Sequence, residues 1–151
     1  MLAAAGFWLL VRHRAAPDPY AAVAAALRQA RPADVASITL YPLLPDKQGR
    51  PARPFELRTA AAIGPVLRGL QQLRPIRVNK QTFNPFIEAT LMVRLSPELA
   101  AARQLHSHNV IFRLASAAEG DVALRAYSEV VCQSTALSQR VRHLRDSVDS
   151  R

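Results

Sequence analysis

The sequence predicts an α+β domain: an antiparallel sheet of about four to five strands with two or three helices packed mainly on one face. Three observations lead there. In residues 59–73, Ile63, Val66, Leu67, Leu70 and Leu73 recur at the spacing of an amphipathic helix, with Arg68 and Gln72 on the opposite side. In residues 87–95, Ile87, Ala89, Leu91, Val93 and Leu95 alternate with polar or charged residues such as Glu88, Thr90 and Arg94, the two-residue period of a strand with one buried face. Each apolar face needs the other, and burying a helix residue of this kind contributes roughly 1.5–3 kcal/mol before entropy is subtracted. Finally, the last three strand-like segments follow one another through short links, which favours antiparallel pairing over crossovers.

The remaining elements follow in chain order. Residues 1–11 (MLAAAGFWLLV) are apolar and run directly into Arg12, His13 and Arg14. The run is about half the ~20 residues that a spanning helix needs, and it lacks the basic leader and cleavage site of a signal peptide. Phe7 and Trp8 just before a basic cluster resemble the end of a membrane segment. Residues 1–16 are therefore set apart as a truncated membrane anchor; an interfacial helix and a buried first helix are the alternatives. Residues 17–148 are assigned to one α+β domain and 149–151 to a frayed tail. Asp18 is placed as the cap of a helix begun by Pro19, with Tyr20, Val23 and Leu27 on one stripe and Pro32 as its stop.

Residues 36–41 read as a strand closed by Pro42 and Pro45; Phe55 and Leu57 suit a short returning strand after a turn at residues 46–49. Thr59 caps the central helix, Pro65 lies awkwardly inside it, and Pro75 ends it. Ser96, Pro97 and Glu98 open a short helix expected to reach Leu105. Residues 109–115 form a strand, Glu119-Gly120-Asp121 a hairpin turn, and residues 122–132 a further strand with Val122, Leu124 and Ala126 on one face. Ser134 or Thr135 starts the last helix, with Leu137, Val141, Leu144 and Val148 as its stripe.

Chemistry is thinly marked. The net charge is +9, and all cations but Lys47 and Lys80 are arginines. Such a balance suits nucleic acid, anionic lipid or an acidic partner, yet the cations are scattered rather than blocked. Cys132, the single cysteine, stands in an apolar run and reads as a small buried hydrophobe. His106 and His108 share a face of an extended backbone and are the weak candidates for a metal; a third ligand would have to come from His143, Cys132 or Glu119. The eleven carboxylates form no pair spaced for acid–base work, Glu88 falls on the solvent face of its strand, and no glycine-rich phosphate loop exists. An enzyme is therefore disfavoured, and no cofactor is expected.

The longest polar connection, residues 74–85, is the candidate binding element. It carries Arg74, Arg77 and Lys80, with Phe83 among them. If these cations face solvent and Phe83 tucks into the core, the loop is structural instead. The expected function is that of a non-catalytic, membrane-associated domain that binds another protein. The alternative is a soluble basic domain that binds a polyanion such as nucleic acid or anionic lipid. The membrane side is open; the domain is cytoplasmic if Met1 is the genuine start and the first segment does not span.

Overall fold

The computed structural model describes residues 19–46, 48–125 and 129–149, and the side chains of residues 21–147 within them. The 1–16 segment, the Asp18 cap, the Tyr20 side chain, Lys47, Ala126, the tail after Asp149 and the Val148 side chain lie outside the described residues.

The element order is α1 (Pro19–Gln29), a 3-10 turn (Pro32–Asp34), β1 (Val35–Pro42), β2 (Phe55–Leu57), α2 (Ala60–Gln71), β3 (Arg74–Pro75), β4 (Phe86–Leu95), α3 (Pro97–Ala102), β5 (Asn109–Ala117), β6 (Gly120–Arg125), β7 (Val131–Gln133) and α4 (Thr135–Asp149). The α+β class and the antiparallel sheet are as expected. The sheet has seven strands, in the order β2-β1-β4-β5-β6-β7-β3, rather than four to five; of the four helices among the described residues, α1, α2 and α4 pack on one face of it. The extra strands are short. The expected strand over residues 122–132 divides into β6 and β7, and β3 is a two-residue pair beside β7. Two or three residues present too little alternation to register as a period.

The main core lies between one face of the sheet and helices α1, α2 and α4. It unites Leu27 and Ala30, then Ile63, Val66, Leu67 and Leu70, then Leu137, Val141 and Leu144, with Ile38, Leu40, Ala89, Leu91, Val93, Leu95, Val110 and Phe112 from the strands. Helix α2 follows β2 at one sheet edge and delivers the chain to β3 at the other. Thr59 caps it, its Oγ1 accepting from the Ala62 N–H at 3.3 Å. Pro65 is tolerated inside the helix, which stays continuous. Gly64 in front of it has no Cβ to strike the pyrrolidine ring.

A second, smaller cluster sits on the opposite face. Ala115, Val122 and Val131 are buried there under Ile76, Val78, Phe83 and Ile87. The chain leaving β3 crosses this face on its way to β4 and so roofs it. Beyond that roof the described part of this face is more open: Thr90 and Met92 on β4 pair with Arg113 and Ile111 on β5, and Arg94 and Arg113 are exposed.

A β-bulge re-aims the start of β4. Ile87 pairs with Ala115 and Ala89 with Leu114, so Glu88 is the extra residue between them. Ile87 therefore joins the second cluster, and Glu88 turns to the helical side. This corrects two expectations: Ile87 does not share a face with Ala89, and Glu88 is half-buried rather than solvated.

Helices α2 and α4 approach closely in the main core. A Cβ added at Gly69 would lie 2.7 Å from the Leu137 Cα and 2.9 Å from its nitrogen. Backbone atoms cannot rotate away. Gly69→Ala is therefore expected to lower stability, because overpacking costs roughly 1–3 kcal/mol against a helix-propensity gain of about 0.5–1 kcal/mol. A shift of the urea unfolding midpoint to lower concentration checks this; an unchanged or raised midpoint would show that the two helices are not in close contact.

Candidate functional site

The 74–85 connection is built into the sheet more deeply than its polar sequence suggests. Arg74 and Pro75 pair with Gln133 and Cys132, and the Ile76 N–H donates to the Val131 carbonyl at 2.9 Å. Asn79 organises the turn that follows: its side-chain oxygen accepts from the Gln81 N–H, and its carbonyl accepts from Thr82 and Phe83. Phe83 is half-buried in the second cluster. Arg74, Arg77 and Lys80 are exposed, and Lys80 pairs with Glu129 at 2.5 Å, which holds the Glu129 carboxyl below its usual range. The loop's apolar side chains thus serve the sheet, and one of its three cations already has a carboxylate.

The histidines stay apart from any third ligand. His106 and His108 are exposed in the link before β5, and His143 is exposed on α4. Among the described residues, no group of three or more His, Cys, Asp and Glu is placed to hold a metal ion. Cys132 is half-buried; burial pushes its thiol pKa up, with Arg125 opposing, so the thiolate is disfavoured.

Two concavities among the described residues bear on function. One lies under α4 and is lined by Glu88, Asp121, Ser134, Ser138, Arg142 and Arg145 among others. Its carboxylates are paired: Glu88 with Arg145 at 3.0 Å and with the Ser116 hydroxyl, Asp121 with Arg142. At about 40 Å³ it has room for about two or three waters, too little for a substrate.

The other is a groove of about 890 Å³ beneath the β1–β2 loop, within the range of ligand sites. Its lining includes Pro42, Leu44, Pro45, Pro51, Pro54 and Phe55, with Asp46, Arg50, Arg53 and Arg145. Four prolines hold φ fixed along its walls, which lowers the entropy lost when the loop is ordered. Asp46 anchors the turn: its carboxylate accepts from the Gln48 and Arg50 N–H groups, both at 2.9 Å, and from Arg50 Nε at 2.8 Å. Gly49, with φ of +75°, completes the turn in a conformation that favours glycine. Two of the three large exposed apolar residues among the described ones border this corner. Leu43, 58% exposed, precedes the lining residue Leu44. Phe86, 61% exposed, stands two residues before Glu88, whose carboxylate holds Arg145 and whose carbonyl accepts from the Leu43 N–H. The β4 bulge is what brings these pieces together.

The sequence reading missed this groove. Its only trace was the spacing of prolines and arginines in residues 42–54, which reads equally as an irregular loop. Nor does homology point to it: no family model, no curated protein and no solved structure matches the chain.

Two measurements check the roles given to these loops. Phe83→Ala is expected to destabilise the fold by about 1–3 kcal/mol, as loss of a partly buried aromatic should. Lys80→Ala, which breaks only an exposed ion pair, should change stability by less than about 1 kcal/mol. Equal urea midpoints for the two variants would mean that Phe83 does not roof the sheet. The second measurement concerns Asp46. Partial desolvation raises its pKa, but the Arg50 N–H, the Arg50 guanidinium and the Gln48 N–H together hold it below the ordinary 3.8. A depressed folded pKa stabilises the loop above 3.8 and loses that effect as pH falls through the lowered value. The protection of the Arg50 amide against hydrogen exchange, relative to its intrinsic rate at each pH, should therefore fall below pH 3.8 in the parent, and Asp46→Asn should weaken that pH dependence.

Proposed function

We propose that this is a non-catalytic domain that works by binding another protein, and that its contact surface is the corner where the β1–β2 loop, the start of β4 and α4 meet. One observation carries the reading: the largest concavity named above, the exposed Leu43 and Phe86, and three arginines share that corner. Aromatic and arginine side chains beside a pocket are the composition of interaction hot spots. Exposed apolar residues gathered at one place, rather than scattered singly, mark contact surfaces. The earlier candidates Arg74, Arg77, Lys80 and Phe83 are given a supporting role: Phe83 stabilises the sheet, and the three cations border the opposite edge.

The 1–16 segment is proposed to hold the domain at a membrane. Among the described residues, no helix is long and apolar enough to cross one, so membrane association rests on Phe7, Trp8 and the basic residues after them.

The polyanion reading stands second. It is favoured by the net charge of +9 and by the exposed Arg94 and Arg113 on the more open part of the sheet.

A photo-crosslinking residue placed at Leu43 in the full chain separates the readings. In its native cells, irradiation should give one discrete adduct that protease removes and nuclease does not. The same residue at Arg113 should give none. A nuclease-sensitive adduct at Arg113 with nothing at Leu43 would reverse the order of the two readings. In the same cells, deletion of residues 1–14 should move the protein from the membrane pellet to the supernatant; an unchanged distribution would remove the membrane tether.

A further inference from the structure

We infer that the partner segment seated in this groove is acidic: an extended peptide stretch that alternates carboxylates with large apolar side chains. The inference rests on the protein-binding reading above and narrows it to a class of partner.

The charges decide it. Four charged residues line the groove, three arginines and one aspartate. Asp46 and Arg50 offset each other within the turn, and Glu88 offsets Arg145, so Arg53 supplies the excess positive charge that an incoming carboxylate meets. Arg50 is held by Asp46 and by Gln48, which fixes its guanidinium at the wall. Arg145 gives Nη1 to Glu88, an arrangement that orients the guanidinium. Arg53 is exposed and lies on the rim of a loop stiffened by Pro51 and Pro54. A fork-shaped donor pre-positioned in this way matches a carboxylate.

The apolar residues decide the rest. Leu44, Phe55 and the prolines line the same groove as Arg50, Arg53 and Arg145, and the exposed Leu43 precedes Leu44 while the exposed Phe86 stands two residues before Glu88, the partner of Arg145. A bare polyanion would leave that apolar surface uncovered, whereas a peptide with Leu or Phe beside Glu or Asp satisfies both. A second copy of this corner would set arginines against arginines, which opposes self-association through it. The concavity also disfavours a flat membrane surface, which meets protrusions rather than grooves.

The test uses the full chain and three fluorescent decapeptides in which Leu and Phe alternate with Glu, with Gln or with Lys. The Glu peptide is expected to bind most tightly, and its affinity should fall as salt rises. Arg53→Glu should weaken the Glu peptide by about tenfold or more while changing the Gln peptide little. Phe86→Ala should weaken both. If the Gln peptide binds as well as the Glu peptide, and Arg53→Glu has no effect while Phe86→Ala still does, the acidic inference is overturned and the protein-binding reading stands. If no peptide responds to either substitution, and single-stranded oligonucleotide or anionic vesicles bind instead, both are overturned. Both substitutions fall on exposed side chains, and an unchanged urea midpoint for each confirms that the readout is binding.

Discussion

The close packing of α2 against the sheet and against α4 is the constraint on which the rest of the molecule depends. Ile63, Val66, Leu67 and Leu70 are buried together on the sheet, and Gly69 lets α4 approach to backbone contact. Without that approach Leu137, Val141 and Leu144 could not reach the same core. Because α2 spans the sheet from the β2 edge to the β3 edge, it also dictates where the chain must return. The segment after β3 has to cross the other face to enter β4 beside β1. The roof formed by Ile76, Val78 and Phe83 is thus a consequence of the helix crossing above it.

The bulge at Glu88 links this scaffold to the candidate site. One extra residue changes which side chains face the helices. It releases Ile87 to the second cluster and gives Glu88 to Arg145, and the carbonyl of the same residue ties down Leu43 as the chain leaves β1. The groove is lined mostly by the proline-stiffened loop, and Pro42 and Phe55 at the ends of that loop tie it to the sheet. This division between a rigid base and a separately ordered loop is common where recognition occurs. Here the loop's order rests on Asp46, whose hydrogen bonds are local and pH-dependent.

Electrostatics follow the same division. The positive balance of the chain is not concentrated in the 74–85 connection, where Lys80 is offset by Glu129. It is dispersed, with Arg94 and Arg113 on the more open part of the sheet and Arg50, Arg53 and Arg145 around the groove. Dispersed charge alone favours nothing specific. Charge beside a concave apolar surface does, because desolvation there strengthens each contact and shape limits what can enter.

Local chemistry was legible in the residues themselves. Thr59, Ser96 and Ser134 stand as caps, each side-chain oxygen accepting from the N–H three residues on, as their positions ahead of apolar periodic runs imply. The stripe of α2 and the alternation from Ala89 to Leu95 marked the main core, because periods of 3.6 and 2 follow from backbone geometry and need no knowledge of neighbours. Tertiary structure alone decided three things. The bulge moved Ile87 and Glu88 to opposite faces, and a bulge depends on the partner strand, not on the residue that bulges. β3 exists because it finds β7 across more than fifty residues, which no local propensity encodes. The groove exists because a loop from residues 42–54 arches toward an arginine on α4, and a cavity belongs to the space between segments rather than to any one of them.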